Sequence, residues 1–294
     1  MVAFAQNGDV QIFYETFGDP ERPPLLLING LGSQCINYRV EWCQSFADAG
    51  HFVIRYDNRD VGLSSKFTAA GSDLHGLIRR AGEGQAVDVP YGLSDMAADG
   101  FAVLDDLGIE RAHVLGVSMG GMIAQTMAIE SPGRLLSMTS VMSTTGDPDV
   151  GQPSDEARKR IMAPPAGDRD GYIAGQLAGL RIWGSPACFD EQRLAAIAAE
   201  AFDRCFSPDG TTRQMMAIMA SGSRTAALGA VGVPTLVLHG DADRLVDPSG
   251  GRRTAEAVAG ARFVLLEGMG HDYPPQYWDQ IVEEVSSHTG GARG

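Results

Sequence analysis

The sequence has few cysteines and no leader-like start. Its four cysteines, Cys35, Cys43, Cys188 and Cys205, form no C-x-x-C pair and no histidine-spaced zinc pattern. We therefore expect reduced, packed thiols rather than a disulfide framework or a metal site. The segment 1–9 has neither basic residues nor a long apolar run, so no signal peptide is predicted. Together these absences predict a cytoplasmic protein.

Basic residues and long apolar runs are also scarce. The chain has 23 Lys and Arg against 37 Asp and Glu, which gives a formal net charge of −14. Because phosphate binding needs a basic surface, a nucleic-acid partner is not expected. The apolar runs are only as long as strands, so no membrane span is predicted. At 44% hydrophobic and 20% charged, the 294 residues are typical of a globular protein, and a homodimer stays open.

What the sequence does contain is an alternation of apolar runs and helical patterns. The runs favour strands of a parallel sheet that is covered on both faces. The predicted strands are 10–17, 25–29, 51–56, 112–117, 135–142, 233–239 and 261–267. The predicted helices are 38–49, 94–107 with Ser94 as N-cap, 119–129 and 275–288. This order predicts an α/β fold with a doubly wound, mainly parallel sheet.

One long segment, 145–229, interrupts the alternation. It is polar and then rich in Ala and Met, it lacks clear strand runs, and it has helical patterns at 191–202 and 213–219. About eighty residues exceed what one crossover between strands needs. We therefore predict a helical cap at 145–229, inserted into a core formed by 1–144 and 230–294. A set of ordinary crossover helices is the alternative.

The strongest chemical signal lies at 116–120, where Gly-Val-Ser-Met-Gly matches G-x-S-x-G. The pattern alone is weak, but here it joins a predicted strand to a predicted helix, the context of a nucleophile elbow. Small flanking residues let the backbone turn sharply and raise the hydroxyl above the sheet. This context predicts that Ser118 is a nucleophile rather than part of a structural turn.

A nucleophilic serine needs a base to remove its proton. Of the six histidines, His271 is the best candidate, because it follows the last predicted strand at the edge of the sheet that carries ligands and chemistry. The other five, His51, His75, His113, His239 and His288, are expected at strand ends, in loops or on the surface. A solvent-facing loop histidine is the alternative for His271.

The base needs an orienting carboxylate, expected after a strand between Ser118 and His271. The segment 241–247 offers Asp241, Asp243 and Asp247, and spacing alone does not rank them. The same D-x-D-x-x-x-D run lacks the twelve-residue loop of a calcium site, so no metal is expected. Acyl transfer also needs no cofactor.

Two backbone N–H groups are candidates for binding a developing oxyanion. One belongs to Met119, directly after the serine, and the other to Leu31 in the 29–32 loop, with Gly32 as an alternative donor. A plain strand-to-loop turn is the other interpretation of that loop. Apolar residues predicted to line the substrate site, unless they pack within the cap, are Met162, Trp183, Met215, Met216 and Met219.

These motifs together resemble the α/β-hydrolase superfamily. The blocks that carry the resemblance are 25–32 (LLLINGLG), 54–64 (IRYDNRDVGLS), 113–125 (HVLGVSMGGMIAQ), 234–246 (PTLVLHGDADRLV) and 267–271 (EGMGH). The resemblance implies that the acid is Asp243, with Asp241 second, and that the order Ser118, Asp243, His271 forms a triad. The family's oxyanion loop usually begins His-Gly, whereas this one begins with Asn29 and Gly30.

A second departure lies at 57–64, where the chain has R-D-x-G in place of the common R-G-x-G. This version is similar to the branch that contains the aclacinomycin methylesterase. The resemblance implies a serine hydrolase of a small, largely apolar carboxylic ester. Open alternatives are the methyl ester of an aromatic polyketide, a lactone, a thioester or a C–C bond as substrate, and a ligand sensor with slow turnover.

Overall fold

The computed structural model describes residues 2–67, 76, 89–163 and 166–292. His75, expected in a loop, lies outside the described residues. Within them, eight strands form one sheet. The strands are β1 (Val2–Asn7), β2 (Val10–Phe17), β3 (Pro24–Ile28), β4 (Phe52–Tyr56), β5 (Ala112–Val117), β6 (Leu135–Val141), β7 (Thr235–Gly240) and β8 (Arg262–Leu266).

The strand order is β1-β2-β4-β3-β5-β6-β7-β8. Pairs β1–β2 and β2–β4 are antiparallel, and every pair from β4 to β8 is parallel. This topology confirms the predicted mainly parallel sheet. Strand β1 was not predicted, although the Asn-Gly pair at 7–8 is a hairpin signal and Gly8 has a φ of 58°.

The helices are numbered here within the described residues. They are α1 (Val40–Asp48), α2 (Leu93–Asp106), α3 (Met119–Glu130), α4 (Asp155–Ile161), α5 (Arg169–Trp183), α6 (Glu191–Arg204), α7 (Pro208–Ala220), α8 (Thr225–Leu228), α9 (Ser249–Ala257) and α10 (Trp278–Gly291). Short 3₁₀ turns lie at Cys35–Asn37, Pro132–Arg134, Pro186–Cys188 and Pro275–Tyr277. None of these helices is both long and apolar enough to cross a bilayer.

The predicted N-cap of α2 was wrong. The helix begins at Leu93 with Gly92 as its N-cap, so Ser94 lies inside the first turn. The reason is a local hydrogen bond: the Asp95 carboxylate accepts the Gly92 N–H at 2.8 Å and so caps the helix two residues earlier than predicted.

The sheet has an apolar core on each face, as a doubly wound fold requires. Successive residues of a strand point to opposite faces. On β3, Leu25 and Leu27 pack with Trp42 of α1 on one face, while Leu26 and Ile28 pack with residues of α2 and α3 on the other. The parallel strands are therefore buried on both sides.

The described part of the segment between β6 and β7 contains the helices α4 to α8, joined by turns and loops, and no strand. Helices α4 and α5 contact each other, as do α5 and α6, while α8 packs against α3 and α9. We call residues 145–229 the inserted segment. Its assignment as a separate cap domain stays a prediction.

Five loops meet at one edge of the sheet, because the carboxyl ends of parallel strands point the same way. They follow β3 (29–32), β4 (57–60), β5 (at Ser118), β7 (241–247) and β8 (267–272). Each predicted nucleophile, base, acid and oxyanion donor lies on one of these loops or at the start of α3.

Candidate active site

Ser118 lies at a sharp turn between β5 and α3. Its φ and ψ are 56° and −118°, a conformation that L-residues rarely adopt and that stores strain. The turn depends on the glycine two residues on, because a β-carbon at Gly120 would lie 2.0 Å from the carbonyl oxygen of Ile28. The Ser118 N–H donates to Val141 O at 2.9 Å, which ties the turn to β6. The strand, turn and helix therefore lift the hydroxyl to the edge of the sheet.

His271 and Asp243 lie in line with this hydroxyl. His271 Nε2 is 2.9 Å from Ser118 Oγ, and His271 Nδ1 is 2.7 Å from Asp243 Oδ2. The three residues are far apart in the chain, and the structure brings them together. The serine is partly exposed, whereas the Asp243 carboxylate is buried.

The Asp243 carboxylate is held on both oxygens. Oδ1 accepts the N–H groups of Leu245 at 2.8 Å and Val246 at 2.9 Å. Oδ2 faces His271 and, at 3.3 Å, Nε2 of His239. Burial by itself raises the pKa of Asp243, but the two imidazoles outweigh it and lower this pKa to about 2. The carboxylate is therefore ionised at neutral pH.

The other two carboxylates of 241–247 have different partners. Asp241 accepts the Gly268 N–H at 2.7 Å, and Asp247 accepts the Ser249 N–H at 2.9 Å. They do not converge with Asp243, and no group of three or more metal-ligating side chains occurs within the described residues. His239 also bonds locally to Val246 O at 2.8 Å, as expected.

The 29–32 loop passes directly beside the nucleophile. A β-carbon at Gly30 would lie 3.3 Å from Ser118 Cβ and 3.9 Å from Ser118 Oγ. The hydrogen bonds of the described residues include no protein acceptor for the N–H of Leu31 or of Met119. The first N–H groups of a helix have no partner within it, which explains Met119. Among the described residues, both predicted donor N–H groups therefore lack a protein acceptor, Met119 directly after the serine and Leu31 directly after Gly30.

The inserted segment reaches the histidine loop from the end of α5. The His271 N–H donates to Trp183 O at 2.5 Å, and the Gly270 N–H donates to Ser185 Oγ at 2.9 Å. Asp272 accepts from both the N–H and the hydroxyl of Ser185, at 3.0 and 2.5 Å. Burial raises the pKa of Asp272. These contacts could not be predicted from the sequence, because they depend on where α5 packs.

The five apolar residues predicted to line the substrate site differ in burial. Met216 is buried and Met215 partly buried, whereas Met162 and Met219 are 40% and 39% exposed. The Trp183 ring covers Gly179, where a β-carbon would lie 2.5 Å from it. Packing within the inserted segment therefore accounts for part of the Trp183 surface. A substrate-lining role for the five stays a prediction.

Comparison with known proteins agrees with this architecture. The family model described as alpha/beta hydrolase fold matches residues 23–274. The rhodomycin D methylesterases DauP of Streptomyces sp. (strain C5) and DnrP of Streptomyces peucetius are each 31% identical over 97% of this chain and 97% of their own lengths. The meta-cleavage product hydrolase CumD from Pseudomonas fluorescens IP01 superposes with a TM-score of 0.78 at 20% identity, covering 99% and 98% of the two chains. The two methylesterases confirm the predicted resemblance to the methylesterase branch.

Proposed function

Since the chain belongs to the α/β-hydrolase fold family, we propose that it is a carboxylic-ester hydrolase with Ser118 as its nucleophile. The observation that carries the proposal is the continuous line of short contacts from Ser118 Oγ through both nitrogens of His271 to Asp243. This arrangement supplies a nucleophile, a base and an orienting anion in direct contact with one another. The strained backbone at Ser118 keeps the hydroxyl at the start of that line.

The reaction proceeds in two acyl transfers. Ser118 Oγ attacks the ester carbonyl carbon while His271 Nε2 takes the hydroxyl proton. The bond from the carbonyl carbon to the alkoxy oxygen then breaks, and His271 returns the proton to the departing alcohol. Water repeats the sequence on the acyl-enzyme, and the products are a carboxylic acid and free Ser118.

Two features lower the barrier of each transfer. The N–H groups of Met119 and Leu31 bind the oxygen that becomes negative as the tetrahedral intermediate forms. Asp243 keeps the proton of the neutral imidazole on Nδ1 and stabilises the charged imidazolium. Because its pKa is about 2, Asp243 is an anion at neutral pH. Only water is consumed, so the mechanism requires no cofactor.

The substrate we propose is a small, largely apolar ester, selected by the inserted segment acting as a cap. A second candidate is the methyl ester of an aromatic polyketide, because two relatives that match 97% of the chain carry the name rhodomycin D methylesterase. Lactones, thioesters and C–C bonds remain alternatives, since the same fold and triad order serve several reactions. The cytoplasmic location and the homodimer remain predictions from the sequence.

The first test is hydrolysis of p-nitrophenyl esters from acetate to decanoate. We expect multiple turnover by the wild type and near-complete loss in Ser118→Ala. The matched control is Ser94→Ala, because Ser94 is an exposed serine on α2, bonded to Glu130 away from the site. Turnover by Ser118→Ala at the wild-type rate would refute the assignment of the nucleophile.

A methanol-release assay on aromatic polyketide methyl esters separates the two substrate classes. Faster turnover of these esters than of any p-nitrophenyl ester would support the methylesterase. If the wild type binds such esters with a large thermal shift but turns over neither class, the slow ligand sensor replaces the hydrolase.

A further inference from the structure

Helix α7 of the inserted segment packs directly on two loops of the core. A β-carbon at Gly32 would lie 2.9 Å from Thr211 Oγ1, and a β-carbon at Gly210 would lie 2.1 Å from the carbonyl oxygen of Asp60. Neither contact leaves room for a larger residue. The helix therefore has a fixed position over both the 29–32 and the 57–60 loops.

Gln214 links these two loops through one side chain. Its Oε1 accepts the N–H of Gly32 at 2.8 Å, and its Nε2 donates to the carbonyl oxygen of Arg59 at 2.8 Å. The side chain is fully buried. A neutral amide can accept and donate at the same time, so both backbone groups are satisfied without burying a charge.

The bond to Gly32 constrains the backbone beside the proposed oxyanion donor. Gly32 has a φ of 67°, a left-handed conformation in which the loop turns away from β3. Holding its N–H fixes the peptide between Leu31 and Gly32, and this limits rotation of the preceding peptide, which carries the Leu31 N–H. That preceding peptide begins at Gly30, where a β-carbon would lie 3.3 Å from Ser118 Cβ.

The residue before Gln214 anchors the helix. Arg213 forms two hydrogen bonds to the Asp60 carboxylate, each of 2.8 Å. Asp60 and Arg213 are both buried, so this ion pair is shielded from solvent. The helix that carries Gln214 is thus fastened to the core one residue away from the amide.

We propose that Gln214, on the inserted segment, is a positioning residue. Through its hydrogen bond to Gly32 it holds the Leu31 N–H in the orientation that binds the oxyanion. The inference rests on the proposed function, since it assumes that the Leu31 N–H binds the oxyanion. The inference extends the proposed function, because the inserted segment would then contribute to the chemical step as well as to substrate binding.

The test compares variants by their rate of modification with a fluorophosphonate. This probe phosphonylates a nucleophilic serine with loss of fluoride and develops charge on the phosphoryl oxygen, so it reports the oxyanion site without the natural substrate. Gln214→Met keeps the size of the side chain but removes both hydrogen bonds. We expect its limiting rate to fall about 10- to 100-fold while the half-saturating probe concentration changes little.

Gln214→Glu separates positioning from general stability. Glutamate keeps an acceptor for the Gly32 N–H, so we expect it to react faster than Gln214→Met. Its buried carboxylate should nevertheless make it the less stable of the two, measured as the midpoint of urea unfolding. If Gln214→Met does not fold, Gln214→Asn takes its place, because it keeps the amide and shortens its reach. Gln176→Met, an exposed substitution on α5, is the matched control and should react like the wild type.

Two results would overturn the inference. One is a Gln214→Met or Gln214→Asn rate within about twofold of the wild type, since a misplaced donor must slow the reaction. The other is a set of rates that simply follows the order of stabilities. Failure of the proposed function is distinct from both: the wild type would then show no labelling at Ser118, and this inference would fall with it.

Discussion

The ion pair between Asp60 and Arg213 allows a quantitative test of how firmly the inserted segment is fastened. Asp60 is fully buried and the Arg213 side chain is 8% exposed. Asp60 also accepts the Tyr91 hydroxyl at 2.7 Å and the Phe67 N–H at 2.8 Å, so its carboxylate is fully hydrogen-bonded. The hydrogen bonds that Arg213 donates to Asp60 raise the pKa of Arg213, which stays charged.

Removing either partner leaves a buried charge without its counterion. We expect Arg213→Met and Asp60→Asn each to lower the free energy of unfolding by about 3–5 kcal/mol. Asp60 has a φ of 74°, and asparagine tolerates this conformation, so the second variant isolates the charge from backbone strain. In the double variant neither charge remains, and the loss should fall short of the sum of the single losses by about 2 kcal/mol or more.

The assay is urea unfolding followed by circular dichroism at one pH and one ionic strength. The matched control is the same cycle on Arg169 and Asp203, which form a similar two-bond pair at 2.7 and 2.8 Å but are 45% and 56% exposed. That exposed pair should show no measurable coupling. Equal coupling in the two cycles would refute the claim that burial makes the Asp60 pair the stronger fastening.

Two further predictions concern Asp243. Asp243→Asn should lower kcat by about 10⁴-fold with little change in KM, because the neutral amide no longer fixes the His271 tautomer or stabilises its charged form. A decrease in kcat of less than tenfold in steady-state ester hydrolysis would contradict this prediction. The second concerns acid stability. The folded-state pKa of Asp243, about 2, lies below its ordinary value of 3.8, so the ionised carboxylate stabilises the fold above pH 4. About 2 kcal/mol of that stability should be lost as the pH falls from 4 to 2. Unfolding curves measured over this pH range should show this loss of stability in the wild type. An equal loss of stability in Asp243→Asn would contradict the assignment of the loss to Asp243.

Local patterns were sufficient to predict most of the sheet. Strand β5 has the predicted bounds, 112–117, because its apolar run ends where the glycine-flanked turn at Ser118 begins. The loops that carry Asp243 and His271 were placed correctly, since the carboxyl ends of parallel strands share one edge. Family resemblance was the reason for choosing Asp243 over Asp241. In the structure, Asp243 Oδ2 lies 2.7 Å from His271 Nδ1.

The sequence could not predict contacts made by the inserted segment. Gly32 and Gln214 are 182 residues apart, and Ser185 and Asp272 are 87 apart. No periodicity encodes such pairs, because they depend on how α5 and α7 pack on the core. The R-D-x-G departure was visible in the sequence, but its meaning, a buried carboxylate that binds Arg213, required the fold.

The close packing of Gly270 on the end of α5 bears on protein engineering. A β-carbon at Gly270 would lie 2.3 Å from the carbonyl carbon of Gly184, so the two backbones pack closely and leave no room for a side chain at Gly270. Exchanging the whole of 145–229 for the equivalent region of another hydrolase, as a route to new specificity, would break this fit as well as the fit beneath α7. A chimaera could keep residues 183–185 and 210–214 from this chain and take the remainder of 145–229 from the donor. It would preserve the contacts at Gly270 and those beneath α7. We expect such a chimaera to change the substrate specificity that we propose for the inserted segment while the proposed catalytic residues keep their positions.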